Sequence, residues 1–151
     1  MKELFILIFS ILLSTSLFAS ENPKKLQDKD MKILITISNN SGTQKISAIL
    51  ENNSSALAFY ELLKRTSITV EMHDYGNFEK VGKLPKSLPR NDEQITTKPG
   101  DIILYQGNQI TIYYDQNSWN FTKLGKVIDI NQAELKSILG KRNIIATFSA
   151  M

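Results

Sequence analysis

Few side chains in this sequence are of the types that perform acid–base, nucleophilic or metal chemistry. His73 is the only histidine and there is no cysteine, so a zinc site built from several such ligands is excluded. A serine–histidine–acid triad would have to use His73, but no Gly-x-Ser-x-Gly elbow accompanies it, and the adjacent Asp74 points to the opposite face of a strand. We interpret His73 as a partly exposed structural residue, with a catalytic base as the alternative, and predict no catalytic residues and no metal site.

The glycine-rich patterns that cradle phosphate groups are also missing. The sequence contains neither Gly-x-x-x-x-Gly-Lys nor Gly-x-Gly-x-x-Gly. A nucleotide cofactor therefore has no support, and we expect no cofactor of any kind.

One arginine stands in a position from which it could contact a ligand. Arginine supplies a fixed cationic donor for hydrogen bonds to a ligand. Arg65 ends a predicted helix and Arg142 opens the predicted last strand, whereas Arg90 lies beside prolines in the loop LPKSLPRNDEQ and is free to reach a cleft. Arg90 is thus a candidate ligand contact, and an ordinary exposed loop arginine is the alternative.

Aromatic side chains flanked by polar residues give the strongest signal of a binding surface. The segment GDIILYQGNQITIYYDQNSWNF, residues 100–121, predicts a hairpin with its turn at Gly107 and Asn108, followed by Trp119 in a polar loop. Its alternation directs Tyr114 toward the core and Tyr113 toward a polar surface or cleft. For Trp119 two interpretations remain open: a lid over the end of a barrel, and a platform for a ligand.

Other residues should complete a cleft around these aromatics. The segment DYGNFEK reads as a polar-flanked loop, and Gly76 gives it freedom to fold over a concavity. Two polar residues before Trp119 could anchor a ligand. The candidate ligand-binding residues are therefore Tyr75, Phe78, Arg90, Tyr113, Asn117, Ser118 and Trp119.

The elements that must position these residues are mostly strands. Period-two alternation predicts strands over MKILITIS, TQKISAILE, ITVEMHD, DIILYQ, QITIYYD, GKVIDI and NIIATFS. Two segments have helical spacing instead: NNSSALAFYELLKR, which begins with capping residues, and NQAELKSILG, where Asn131 and Glu134 match a capping box and Gly140 supplies the stop. The pattern predicts a mainly β fold: a closed or nearly closed barrel with two short helices at its ends.

The order of these motifs resembles the bacterial cyclophilin-like domain family, small β-barrel proteins that are largely of unknown function. The resemblance runs from Met31 to the C-terminus, and its most specific stretch is residues 99–125, where Gly-Asp, Leu-Tyr, Gly-Asn, Asn-Ser-Trp and Leu-Gly follow in the family's order. It implies a cyclophilin-like β-barrel. Classical cyclophilins isomerise prolyl bonds with an arginine in an FHR-type motif, and this sequence has no such motif.

The N-terminal residues belong to a different physical class. Lys2 precedes an almost uninterrupted apolar run, residues 4–18, and small residues follow up to Ser20. We predict a cleaved signal peptide at residues 1–20, a polar linker at residues 21–30 and the cyclophilin-like domain at residues 31–151. An uncleaved anchor is the alternative, but the run is shorter than the roughly 20 residues that cross a bilayer. We therefore predict that the protein is periplasmic or secreted and that it is not attached to the membrane once the leader is removed.

Charge and composition limit the classes of binding partner that we expect. Lys and Arg outnumber Asp and Glu by 18 to 15, and the basic residues are scattered, so nucleic-acid binding is not expected. Because catalytic groups are scarce, the preferred interpretation is a non-catalytic module that binds a small molecule or an extended peptide. A peptidyl-prolyl isomerase-like enzyme is the alternative, and it rests on fold analogy alone.

Overall fold

The computed structural model describes residues 30–151; the predicted signal peptide, and all of the predicted linker except Asp30, lie outside them. The described chain forms nine strands and two helices. They are β1 (Lys32–Asn39), β2 (Gly42–Leu50), α1 (Ser54–Arg65), β3 (Ile68–Tyr75), β4 (Glu79–Lys83), β5 (Glu93–Thr96), β6 (Asp101–Tyr105), β7 (Gln109–Tyr113), β8 (Ser118–Ile128), α2 (Gln132–Leu139) and β9 (Ile144–Ala150).

Eight of these strands close into an antiparallel barrel. Neighbouring strands follow the order β2-β1-β9-β3-β4-β7-β6-β8, and β8 pairs again with β2, which joins the two ends. At this seam Gly125 lies opposite Leu50, and a Cβ there would come within 2.4 Å of the Ile49 carbonyl oxygen, so the closure requires glycine. The ninth strand, β5, pairs with the first residues of β8 outside the barrel. The predicted mainly β barrel with two helices is confirmed.

The two helices cover apolar side chains of the barrel interior. Asn53 caps α1 by accepting a hydrogen bond from the Ala56 amide at 2.8 Å, and Phe59 packs edge-on against Phe148 with ring centroids 5.7 Å apart. Helix α2 begins with the predicted capping box and ends at Gly140, whose φ is 63°. None of the helices in residues 30–151 is long and apolar enough to cross a membrane.

One charged side chain points into the barrel. Lys80 alternates with Gly82, whose added Cβ would strike the inward side chains of Val70 and Met72, so Lys80 shares their side of the sheet and is fully buried. Its ammonium group donates to Asp74 Oδ1 at 3.0 Å and to the Arg142 carbonyl at 2.8 Å. Such partners are what a buried charge requires.

The Tyr114 hydroxyl completes this polar cluster. It donates to the same Asp74 oxygen at 2.7 Å, and burial of the hydroxyl together with the Asp74 charge raises the pKa of Tyr114. Tyr114 packs with the barrel core, as the alternation of β7 predicted. One end of the interior is therefore closed by hydrogen bonds around Asp74 as well as by apolar packing.

Two predicted loops are in fact strands. DYGNFEK is the β3–β4 hairpin, with its turn at Gly76 and Asn77, and Trp119 lies in β8 rather than in a loop. The sequence of β4 shows no alternation of apolar and polar residues, because Lys80 and Gly82 occupy its inward positions. The first residues of β8 are polar because they extend past the barrel to pair with β5.

Candidate functional site

The outer faces of β3, β4 and β7 place aromatic and titratable side chains side by side. In the strand register Tyr75 lies opposite Glu79, and Glu79 lies opposite Tyr113. These residues alternate with inward side chains such as Lys80 and Ile112, so they project away from the barrel interior. Directly opposed residues have neighbouring side chains, and Glu79 is thus flanked by two tyrosines.

A concavity of about 390 Å³ opens above this row. This volume lies within the range of small-molecule sites, roughly 300 to 1,000 Å³. Its walls come from five strands and the turn before β8. The lining residues are His73, Tyr75, Glu79, Val81, Tyr105, Gln109, Thr111, Tyr113, Asn117, Trp119 and Phe121.

Packed aromatic rings form the wall and floor of the concavity. Phe78 stacks parallel to Tyr113 with ring centroids 6.0 Å apart and meets Tyr75 edge-on at 5.9 Å. Phe121 continues the series, 5.8 Å from Tyr113 and 6.1 Å from Tyr105. With buried Ile103, all of these rings except Tyr75 make a second apolar cluster outside the barrel core. Because each ring contacts the next, the wall is held in shape before any ligand arrives.

Two aromatic side chains at the concavity are largely open to solvent. Trp119 is 60% exposed and Tyr75 is 59% exposed. The interpretation of Trp119 as a lid over the barrel end is therefore wrong. Trp119 projects from β8 beyond the barrel, opposite Ile95 of β5, while α1 and α2 pack against the barrel core.

Glu79 is the most unusual polar residue of the concavity. It is only 7% exposed, and its Oε2 atom has no hydrogen-bond partner among the described residues. Burial raises the pKa of the Glu79 carboxyl above its ordinary value; the nearby Tyr113 hydroxyl opposes that rise and the negative charge of Asp74 adds to it. A buried carboxylate oxygen without a donor is costly to the fold, so this atom calls for a functional explanation.

Tyr113 and Asn117 complete the polar part of the wall. Burial of the Tyr113 hydroxyl, together with the adjacent Glu79, raises the pKa of Tyr113, which stays neutral and able to donate. Asn117 Nδ2 donates to the Tyr113 hydroxyl oxygen at 3.4 Å. Buried Thr97 holds Asn117 in place, because its amide donates to the Asn117 carbonyl at 2.8 Å and its hydroxyl oxygen accepts from the Asn117 amide at 2.9 Å.

Comparison with known proteins identifies the family to which this barrel belongs. The model of the cyclophilin-like family matches residues 39–149. The chain belongs to the cyclophilin-like family. This cyclophilin-like protein also resembles the solution structure of a hypothetical protein from Archaeoglobus fulgidus, with a TM-score of 0.53 and 9% identity over 82% of this chain and 98% of that one. At this identity the likeness shows the fold alone. No curated protein is significantly similar to the chain.

The structure brings together some of the residues predicted for the site. Tyr75, Tyr113, Asn117 and Trp119 line one concavity, and Phe78 supports it from behind by its ring contacts. Their role in binding remains a prediction.

The other two predicted site residues do not line the concavity. Ser118 Oγ pairs with Thr96 Oγ1 at 2.7 Å across β8 and β5, on the exposed side of that pair. Arg90 forms an ion pair with Asp92, and its side chain passes over Gly107. Arg90 and Asp92 lie in the same loop, and their ion pair keeps the guanidinium away from the aromatic wall.

Seven of the eleven lining residues are absent from the predicted set, among them Glu79 and His73. Glu79 lies in the segment that the sequence predicts as a polar-flanked loop, and the sequence predicts a structural role for His73. In the structure His73 is exposed and lines the wall beside Val81. The Gly-Asn pair at positions 76 and 77, like that at positions 107 and 108, was a turn signal that could have placed Glu79 on a strand.

The groups of the concavity can form hydrogen bonds, charge pairs and apolar contacts. In the described part of the chain, no three His, Cys, Asp or Glu side chains are grouped so that they could hold a metal ion. Glu79 can accept hydrogen bonds or neutralise a positive charge, Asn117 can donate and accept, and the rings offer apolar faces.

Proposed function

We propose that this cyclophilin-like protein is an exported, non-catalytic module that holds a small molecule or an extended peptide in the outer concavity. The observation that carries the proposal is a preformed aromatic wall around a buried carboxylate with an unpaired oxygen. Binding sites typically combine a mostly apolar lining with a few polar groups that fix the orientation of the ligand.

The exposed aromatic faces support the same proposal. Tyr75 and Trp119 leave large ring surfaces open at one concavity, where a ligand would cover them. Rigid aromatic side chains lose little conformational entropy on binding, which makes them effective anchors. Strand β5, which pairs only with β8 in the sheet, lies next to Trp119 and gives an extended peptide an edge to follow.

Prolyl isomerisation is the alternative function, and it has less support. Arg90, the arginine that the sequence leaves free to reach a cleft, lies outside the lining and is paired with Asp92. A protease-coupled peptide isomerisation assay tests it. Catalysis above background that falls in Arg90→Ala would overturn the proposal of a binding module.

We expect Trp119→Ala to separate binding from stability. Because the side chain is largely exposed, its truncation should change the free energy of unfolding by less than about 1 kcal/mol. Metabolites and peptides that raise the melting temperature of the native protein in a thermal-shift screen should bind the variant at least about tenfold more weakly.

Leu57→Ala is the matched control for this test. Leu57 is also a large exposed apolar residue, but it lies on α1 and does not line the concavity. Its truncation should leave ligand affinity unchanged. Equal losses in both variants, or none in Trp119→Ala, would argue against the proposed site.

The proposed export has its own test. Mass spectrometry of the native protein should find a mature N-terminus near Ser20 or Glu21, because signal peptidase cleaves after small residues that follow an apolar run. Cell fractionation should place this form outside the cytoplasm. An intact Met1 in the cytoplasmic fraction would refute export.

A further inference from the structure

We propose that the outer concavity binds an organic cation, a protonated amine or a guanidinium group, and that the Glu79 carboxylate is its counter-ion. This inference rests on the proposed binding function and specifies the chemical class of the ligand. The group could belong to a free amine or to a lysine or arginine side chain of an extended peptide.

The first argument is the unsatisfied oxygen. Glu79 is more than nine-tenths buried and lines the concavity, and its Oε2 has no donor among the described residues. Burial without a donor is unfavourable for a carboxylate and favours its neutral form. An N–H group on a ligand would supply the missing hydrogen bond, and a positive charge on that group would strengthen it.

The second argument is the sign of the charge around the site. Although the chain carries 18 lysines and arginines, none lines the concavity among the described residues. Lys80 faces Asp74 inside the barrel and Arg90 is bound to Asp92, whereas Lys83 is exposed opposite Gln109 and does not line the concavity. Apart from Glu79 and the tyrosines, His73 is the only lining residue of an acidic or basic type. An anionic ligand would therefore face Glu79 with no lysine or arginine among the residues that line the concavity.

The third argument is the aromatic surroundings. Tyr75 and Tyr113 flank Glu79 in the strand register, and Trp119 lines the same concavity with its ring exposed. The faces of aromatic rings attract cations, most strongly those of tryptophan, and the attraction grows when the cation is desolvated. Rings combined with a carboxylate favour a cation over a neutral molecule of the same shape.

Three probes of nearly equal shape test the inference: 2-phenylethylamine, which is cationic at pH 7, neutral 2-phenylethanol and anionic phenylacetate. Binding is followed by the fluorescence of Trp119, the only tryptophan. We expect the amine to bind at least about tenfold more tightly than the alcohol, and phenylacetate not to saturate. A second arm compares acetyl-Gly-Lys-Gly-amide with its norleucine analogue, which shows whether the cation can belong to a peptide side chain.

Two variants assign the preference to one carboxylate. Glu79→Gln should bring the affinities for amine and alcohol to within about threefold of each other, because the countercharge is lost while the shape remains. Glu71 is an exposed carboxylate on the face of β3 that also carries His73 and Tyr75, but it does not line the concavity. Glu71→Gln should therefore keep the preference for the amine.

The outcomes distinguish the inference from the proposed function. A preference for the cationic member in either arm, lost in Glu79→Gln, supports the inference. If neutral or anionic probes bind as tightly as the cations, the inference is overturned while the concavity remains a binding site. If no probe binds, the inference is also overturned, and the thermal-shift screen with Trp119→Ala decides the proposed function independently.

Discussion

Lys80→Ala should destabilise the protein by about 3 kcal/mol, measured as the free energy of unfolding in urea. Lys80 is fully buried in the barrel, and its ammonium group is bonded to Asp74 and to the Arg142 carbonyl. Removing one partner of a buried ion pair leaves the other charge uncompensated, which costs about 3 to 5 kcal/mol. We expect the lower end of that range because the Asp74 side chain is 23% exposed and keeps some contact with water.

Two further variants calibrate this result. Tyr114→Phe removes only the hydroxyl that donates to Asp74 and should cost about 1 kcal/mol. Lys83→Ala removes an exposed lysine from the same strand and should change stability by less than about 0.5 kcal/mol. If Lys80→Ala were as mild as Lys83→Ala, Lys80 would not be buried in an ion pair within the barrel.

Glu79→Gln, in contrast, should stabilise the protein at neutral pH, by about 1 to 3 kcal/mol, because it removes a buried carboxylate with one oxygen that lacks a donor. The pH dependence has a definite sign. Since the folded state raises the pKa of Glu79, the folded protein holds this proton more tightly than the unfolded chain. The contribution of Glu79 to stability is therefore most favourable below the ordinary glutamate pKa of about 4.3, and it falls as pH rises through the higher pKa of the folded state.

The gain in stability from Glu79→Gln should accordingly appear above the pKa of Glu79 in the folded state and shrink at acid pH. Urea denaturation of both proteins between pH 4 and pH 8 measures the difference. The other ionisable groups around Glu79 are retained in both proteins; they are His73, Asp74, Tyr75, Tyr105 and Tyr113. A variant that is less stable than the native protein at every pH would show that the carboxylate has a partner in the fold.

Much of the barrel could be predicted from the sequence because its core strands obey a simple period. Ile33, Ile35 and Ile37 recur at every second position of β1, and they are buried as this pattern requires. The helices were predictable because their caps are local: Asn53 and Asn131 contact amides only three residues away. The alternation of β7 likewise sent Tyr113 and Tyr114 to opposite sides of the sheet.

The candidate site was harder to predict because its key residue breaks the period. In β4 a charged residue faces inward at Lys80 and another is buried outward at Glu79, so the segment reads as a solvated loop. Only the tertiary pairing of β4 with β3 and β7 places Glu79 between two tyrosines. Arg90 shows the converse: its position beside prolines suggested a free cation, but the local ion pair with Asp92 decides where it points.

Crystals soaked with a library of small amines and aromatic fragments test the central claim most directly, that the outer concavity is the ligand site. We predict density between the rings of Tyr75 and Trp119, with a ligand donor within hydrogen-bond distance of Glu79 Oε2. A second depression, at the barrel end near Tyr114 and Lys136, serves as the internal comparison. Fragments bound only there, with the aromatic wall empty, would contradict the account.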